Sequence, residues 1–182
     1  MVDLKKCVLP AAIQVAGSWY AVKTDFRDVL AFYALLAEGG HAYADFDFMY
    51  TTDGVPADRA AGFAAMRELF EKENPLPRAV GAQSGERLVD YDIDADLIYA
   101  AFYEQYGIDL LTARLHWYQF KALFAGLHGT KLNDVMGYRA YDANDKRKPE
   151  QLQAELKAAW HIEAALTAEE QAALDEFDRE FS

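Results

Sequence analysis

The sequence predicts a mainly helical domain of the α+β class, with an N-terminal β-hairpin and a helical C-terminal extension. Two observations lead to this prediction. Apolar residues recur at helical spacing through most of the chain, and one short early stretch is rich in β-branched and aromatic residues around a glycine turn. A hydrophobic content of 52% over 182 residues is enough to form a core. We place the core domain at residues 1–148 and the extension at residues 149–182.

The hairpin is predicted over residues 8–23, with its turn at Gly17-Ser18. Because two strands alone are marginally stable in water, this hairpin must pack on helices or pair with another strand. The next helix is expected to begin at Thr24, whose hydroxyl can cap it, and to end at Gly39-Gly40. Residues 41–56 fit either a strand or a short helical turn.

The remaining helices are delimited by capping residues at their starts and by glycine or proline at their ends. They are predicted from Ala57 to Lys72, from Tyr91 to Gly107, from Asp109 to Ala125 and from Leu132 to Tyr141. The tail is expected to hold one or two helices, and a capping box is predicted at Thr167–Glu170.

Residues 110–127 are the most informative segment, because a helical projection gives two apolar stripes on opposite sides. One stripe contains Leu111, Leu115, Tyr118, Ala122 and Ala125, and the other contains Trp117, Phe120, Leu123, Phe124 and Leu127. A helix at the edge of a globule needs only one apolar stripe. The segment is therefore either the central helix of a small bundle or a contributor to a subunit interface.

Residues expected to contact a partner share large apolar side chains on such faces. They are Trp117, Phe120, Phe124, Leu127, Phe177 and Phe181. The last two lie in the predicted C-terminal helix, whose apolar face either meets a partner or packs back onto its own domain.

The sequence predicts no catalytic, cofactor-binding or metal-binding residue. Alternating aspartates begin like a calcium loop, at Asp90, Asp92, Asp94 and Asp96. Leu97 and Tyr103 then stand where such a loop needs glycine and a bidentate glutamate, so we interpret the aspartates as helix-capping residues. The histidines lack zinc-site spacing, and neither a nucleophile elbow nor a phosphate-binding glycine loop occurs.

The charge balance indicates the kind of partner to expect. Thirty acidic and eighteen basic residues give a net charge of -12, which repels a phosphate backbone, so we do not expect nucleic-acid binding. A single cysteine fits a reducing compartment, and no apolar run reaches the roughly 20 residues of a membrane span. No signal peptide is recognised, so we expect a soluble, cytoplasmic protein.

Four short motifs between Tyr106 and Arg139 carry a family resemblance. They are Tyr106-Gly107-Ile108-Asp109-Leu110, His116-Trp117 with Phe120, Gly126-Leu127, and Gly137-Tyr138-Arg139. Together with the acidic lead-in Asp92–Asp96, they resemble the bacteriophage gene-product-fifteen family of long-tailed phages. The resembling stretch runs from Tyr99 to Arg139, and the strong part of the resemblance covers about 50 residues.

The resemblance implies a non-enzymatic role in phage tail morphogenesis. Members resemble, by gene position, the tail assembly chaperones that coat the tape-measure protein before the tube polymerises around it. The family carries no established catalytic residues. We therefore expect a chaperone that binds the tape-measure protein and self-associates. A structural tail-completion or connector component of the virion is the alternative, and a small enzyme is third.

Overall fold

The computed structural model of the chain describes residues 2–6, 8–51, 54–72, 87–141 and 150–162. Strands β1 (Ala12–Val15) and β2 (Ser18–Ala21) come first. The helical elements follow in the order α1 (Phe26–Glu38), a 3-10 helix (Tyr43–Met49), α2 (Arg59–Glu71), α3 (Ala95–Tyr106), α4 (Trp117–Ala125), α5 (Lys131–Arg139) and α6 (Glu150–Ala159). The predicted class, mainly helical with an N-terminal hairpin, is confirmed. None of the described helices has the length and apolar content that a membrane span requires.

The described residues form two compact units. The first contains those within 1–80 and 91–133, and the second contains those within 81–90 and 134–182. The predicted boundary between residues 148 and 149 lies outside the described residues and stays a prediction. The capping box predicted at Thr167–Glu170 also lies outside them.

The hairpin forms as predicted, but its turn is shifted by one residue. Ala16 and Gly17 make the two-residue turn with φ values of 49° and 83°, and Ser18 already belongs to β2. A turn with two positive φ values matches the right-handed twist of the paired strands. β1 packs on α2, and Val22 forms an antiparallel bridge with Tyr50, so the hairpin has the support that two strands need.

Helix α1 begins one residue later than predicted. The Asp25 carboxylate accepts a hydrogen bond from the backbone N–H of Arg27 at 3.1 Å and caps the helix. Thr24 has a different role, because its carbonyl accepts from the backbone N–H of Trp117 at 2.7 Å. The helix ends at Gly39 as predicted, at a φ of 71° that favours glycine.

The ambiguous stretch 41–56 contains the short helical turn, in the form of the 3-10 helix. The Asp45 carboxylate accepts from the backbone N–H of Ala42 at 2.8 Å and fixes the start of this helix. Helix α2 then begins under the cap of Asp58. Helix α3 ends at Gly107, which takes the left-handed conformation at a φ of 65°, as the predicted helix stop requires.

The helix predicted from Asp109 is wrong in its first half, because α4 begins only at Trp117. The Asp109 carboxylate accepts from the backbone N–H of Leu111 at 2.9 Å within a local turn. The Arg27 guanidinium donates to the carbonyl of Leu110 and to that of Ala113, the latter at 2.9 Å. A helix would need those carbonyls for its own i to i+4 bonds, so these contacts favour the turn over the helix.

The chain between this turn and α4 is extended. The backbone N–H of Phe26 donates to the carbonyl of Leu115 at 3.0 Å, and His116 forms a bridge with Asp25. Leu111, placed on an apolar stripe by the helical projection, is 79% exposed. The interpretation of residues 110–127 as one helix with two apolar stripes is therefore wrong.

Stacked aromatic rings form the core of the first unit. Phe120 is 1% exposed, and its ring lies 4.6 Å from Phe26, 5.3 Å from Phe102 and 5.8 Å from Trp117, centroid to centroid. A second aromatic cluster surrounds Phe32 and contains Phe46, Phe63 and Phe70. These rings join α1, the 3-10 helix, α2, α3 and α4 around one apolar centre.

The second unit is held by basic side chains that donate to backbone carbonyls. The buried Arg139 guanidinium donates through Nε to the carbonyl of Trp160 at 2.7 Å and through Nη1 to that of Leu88 at 2.9 Å. Lys157 donates to the carbonyl of Tyr141 at 3.1 Å. Arg139, part of the Gly-Tyr-Arg motif, thus connects three segments of this unit.

Candidate functional site: a groove beside the hairpin

An open groove of about 670 Å³ lies in the first unit between the hairpin and α2. Its lining combines apolar side chains with a few charged ones at the rim, and comes from the N-terminal segment, the hairpin, α2 and α4. The lining residues are Asp3, Lys6, Val8, Leu9, Pro10, Ala12, Ile13, Gln14, Trp19, Ala65, Glu68, Leu69, Lys72 and Tyr118. We call this feature the hairpin groove.

Two large apolar side chains of the hairpin groove are open to solvent. Val8 is 79% exposed and Trp19 is 67% exposed. Trp19 lies on β2 directly opposite Gln14, on the face of the hairpin that is turned away from the core residue Ile13. Exposed aromatic side chains around a concavity mark interaction sites more often than isolated apolar residues do.

The floor of the hairpin groove is formed by Tyr118, the second residue of α4. Its hydroxyl donates to the carbonyl of Leu69 at 2.6 Å, which ties the ring to α2. Burial raises the pKa of the Tyr118 phenol, so the hydroxyl stays protonated and remains a donor at neutral pH. The floor is therefore a fixed surface joined to two helices.

His116 holds one end of the hairpin groove in place. Its Nδ1 accepts from the backbone N–H of Tyr118 at 3.0 Å and caps α4, which leaves Nε2 as the donor to the carbonyl of Pro10 at 2.9 Å. Burial lowers the pKa of the His116 imidazole, and the neutral tautomer fits both bonds. His116 therefore attaches the segment before β1 to the start of α4.

The outer edge of β1 forms one wall of the hairpin groove. Val22 N–H donates to the carbonyl of Ala11 at 2.9 Å, and hydrogen-bonded pairs alternate along an antiparallel ladder. The backbone of Ile13 therefore faces β2, whereas the N–H and C=O groups of Ala12 and Gln14 face the opposite way. No backbone hydrogen bond joins these four groups to another part of the chain that the structure describes.

The outer edge of β2 is covered at its C-terminal end, in contrast to that of β1. The carbonyl of Ala21 accepts from the backbone N–H of Thr51 at 3.1 Å, and Lys23 N–H donates to the carbonyl of Met49 at 2.8 Å. The segment around Tyr50 therefore acts as a third strand on that side. The hairpin edge at Ala12 and Gln14 has no such neighbouring segment among the described residues.

The sequence predicted contact residues elsewhere, on α4. Trp117, Phe120 and Leu127 are all buried in the first unit. The indole N–H of Trp117 donates to the carbonyl of Phe70 at 2.9 Å, as expected for a core side chain. Phe124 is half-buried, with its ring 6.0 Å from that of Phe120. The structure gives the three buried residues a packing role, and the partner contact stays a prediction.

The other two predicted contact residues, Phe177 and Phe181, lie outside the described residues. None of the four predicted residues that the structure describes lines the hairpin groove. Tyr118, next to Trp117 in the sequence, does reach it. The signal that sequence reasoning missed is Trp19, whose strand alternation places it opposite Gln14 and away from the apolar face of Ile13 and Val15.

A comparison with models of protein families identifies the family of this chain. A family model described as Bacteriophage Gp15 protein matches residues 63–162, which is more than half of the chain. The chain belongs to the bacteriophage Gp15 family. Membership identifies it as a bacteriophage structural or morphogenesis protein. No curated protein and no solved structure matches it.

The matched range of this Gp15 family protein includes the motifs that carried the resemblance, so the family prediction is confirmed. It also includes Tyr118 and the part of α2 that lines the hairpin groove through Ala65, Glu68 and Leu69. The hairpin itself precedes the matched range. Within the described residues, no group of three or more His, Cys, Asp or Glu side chains is arranged to hold a metal ion.

Proposed function

We propose that this Gp15 family protein is a non-enzymatic tail morphogenesis factor that binds the tape-measure protein in the host cytoplasm before the tail tube polymerises. The family match over residues 63–162 carries the proposal, because it places the chain among phage structural and morphogenesis proteins. The hairpin groove supplies a surface on which a client segment can dock.

Two physical features support binding rather than catalysis. The hairpin groove is open and lined largely by apolar side chains, which suits a peptide better than a small polar substrate. The net charge of -12 gives the protein an acidic exterior that resists its own aggregation while it holds an apolar client. A chaperone for an aggregation-prone chain needs both properties.

Co-expression tests the proposal directly. The neighbouring tape-measure protein is expressed alone and together with this protein, and its soluble fraction is measured after centrifugation. We expect the tape-measure protein to be soluble only in the co-expression, and purified virions to lack the Gp15 family protein. An equally insoluble tape-measure protein in both samples would contradict the chaperone role.

Two exposed aromatic residues provide a matched pair of variants. Trp19→Ser removes the exposed ring of the hairpin groove, whereas Tyr103→Ser removes a ring that is 58% exposed on α3 and does not line the groove. We expect Trp19→Ser to reduce the soluble tape-measure protein and Tyr103→Ser to leave it unchanged. The reverse result would place the client on another surface.

The alternative is a structural tail-completion or connector component, and the same family match supports it. This alternative predicts a fixed copy number in purified virions, which quantitative mass spectrometry measures. Self-association is part of either proposal. Sedimentation velocity over a range of protein concentrations tests it, and a single monomer boundary throughout would contradict it.

A further inference from the structure

We propose that the hairpin groove binds an extended, basic peptide segment of a partner protein, which joins the hairpin as an added strand beside β1. The inference deepens the proposed function by naming the chemistry of the client segment. It relies on that function only for the source of the peptide.

The unpaired edge of β1 selects an extended occupant. Ala12 and Gln14 direct two N–H and two C=O groups toward the groove side, spaced as an antiparallel or parallel neighbour requires. An extended peptide satisfies such groups with its own backbone, which is the basis of recognition by strand addition. A helix cannot do so, because its backbone groups are already bonded internally.

The edge has a defined length. At its N-terminal end, the carbonyl of Pro10 is already taken by Nε2 of His116 at 2.9 Å. At its C-terminal end, Ala16 and Gly17 turn the chain into β2. About three or four residues of an added strand can therefore form backbone hydrogen bonds with β1, and contacts with the surrounding side chains must supply the rest of the affinity.

Apolar side chains stand on the groove side of the edge. Leu69 of α2 and Tyr118 of α4 line the hairpin groove, and so does Trp19, which lies on the face of the hairpin opposite to Ile13. Successive residues of a strand point to opposite sides. An occupant with apolar residues at alternate positions therefore directs them to this floor and keeps its other residues toward water.

The net charge of the protein determines which charge is preferred on the peptide residues that point to water. The rim carries both signs, with Asp3 and Lys6 paired at 3.9 Å, Glu68 on α2 and Lys72 directly after α2. The net charge of -12 over the whole chain therefore decides the long-range attraction, and it favours a basic peptide. A peptide with alternating apolar and basic residues therefore matches both the apolar floor of the groove and the negative charge of the protein.

A synthetic peptide of four Val-Lys repeats, blocked at both ends, is a suitable probe. It is titrated into the ¹⁵N-labelled full chain and followed by two-dimensional NMR. We expect the largest shifts at the backbone amides of Ala12 and Gln14 and at the indole N–H of Trp19. The same peptide with every backbone nitrogen methylated keeps its charge but has no N–H to donate, and we expect it to bind at least about threefold more weakly.

The proline variant separates backbone pairing from side-chain contact. Gln14→Pro removes an N–H that points away from β2, so the hairpin ladder stays intact, and proline is tolerated at such edge positions. Gln14→Ala removes the same side chain, including its 3.5 Å contact with the carbonyl of Gly17, and keeps the N–H. We expect Gln14→Pro to weaken peptide binding roughly three- to tenfold and Gln14→Ala by less than about twofold.

Several results would overturn the inference. Equal binding of the methylated and unmethylated peptides would show that charge alone attracts the probe. Stronger binding of an amphipathic Leu-Lys helical peptide at the same amides would show that the groove takes a helix. A dimer that dissociates in Gln14→Pro would identify the occupant as a second copy of β1. If Gln14→Pro is unfolded by circular dichroism, Ala12→Pro, which also removes an outward N–H, replaces it.

Failure of the inference and failure of the proposed function give different results. If the probe binds at β1 but the tape-measure protein stays insoluble in co-expression, the strand-addition site stands and the chaperone role is wrong. If Gln14→Pro rescues the tape-measure protein as well as the unchanged chain does, the chaperone role stands and the site lies elsewhere.

Discussion

Phe120→Ala provides the sharpest test of the role assigned to helix α4. The ring is 1% exposed and stacks on Phe26 and Phe102, with interplanar angles of 4° and 9°. It also stacks on Trp117, with an interplanar angle of 14°. Removal of the ring therefore leaves a cavity where α1, α3 and α4 meet. A residue that served mainly as a partner contact would leave no such cavity.

The magnitude follows from burial and stacking. Truncation of a buried phenylalanine to alanine costs about 3–5 kcal/mol, and each stacked aromatic pair adds roughly 0.5–1.5 kcal/mol beyond area burial. With three stacked ring neighbours, we expect a loss in the upper half of that range, about 4 kcal/mol. Because domains of 150–250 residues lose roughly 2–4 °C of Tm per kcal/mol, the melting temperature should fall by about 8–16 °C.

Urea denaturation followed by far-UV circular dichroism measures the free energy of unfolding. Phe124→Ala is the matched comparison on the same helix, because that side chain is only half-buried and should lose about half as much. Phe120→Leu keeps most of the apolar volume, so it should lose less than Phe120→Ala. A Phe120→Ala loss below about 1.5 kcal/mol, or one no larger than that of Phe124→Ala, would refute the packing argument.

Three further predictions concern other contacts. Because burial lowers the pKa of His116, the unfolded chain binds the proton more readily than the folded chain, so the free energy of unfolding should be at its full value above about pH 6.5 and fall below it. His116→Asn keeps a cap acceptor but cannot titrate, so its free energy of unfolding, measured in urea, should fall less on acidification. Arg27→Met should lose about 1.5–3 kcal/mol with its two carbonyl bonds, and an unchanged urea midpoint would contradict this. Gly62→Ala would bring Cβ into a steric clash with the hydroxyl of Tyr50 and should destabilise by about 1–3 kcal/mol. Tyr50→Phe, which removes a buried hydroxyl without a partner among the described residues, should recover part of that loss in a double-mutant cycle.

Local signals were enough to predict most elements of this fold. Gly39 and Gly107 end α1 and α3 where the sequence places the stops, because each takes a positive φ that other residues avoid. The hairpin was predictable from its β-branched and aromatic residues, although the turn lies at Ala16-Gly17. These features depend on a few neighbouring residues, which is why a single sequence contains them.

The segment after Asp109 shows where local signals fail. Its apolar residues fit a helical period, yet Arg27, more than eighty positions earlier in the chain, takes the carbonyls of Leu110 and Ala113. Leu111 is left exposed as a result. A contact across that sequence separation cannot be read from periodicity. The hairpin groove was missed for the same reason, since its lining is drawn from four separate parts of the chain.

The motifs that identify the family mainly describe how the fold is held together. Gly107 ends a helix, His116 caps another, Trp117 packs in the core and Arg139 ties three segments through their carbonyls. Residues with such roles mark a fold and give little information about its partner. The choice between a chaperone and a virion component therefore depends on exposed surfaces, and the hairpin groove combines an open strand edge with the exposed ring of Trp19. Variants at that edge, rather than in the motifs, separate loss of binding from loss of folding.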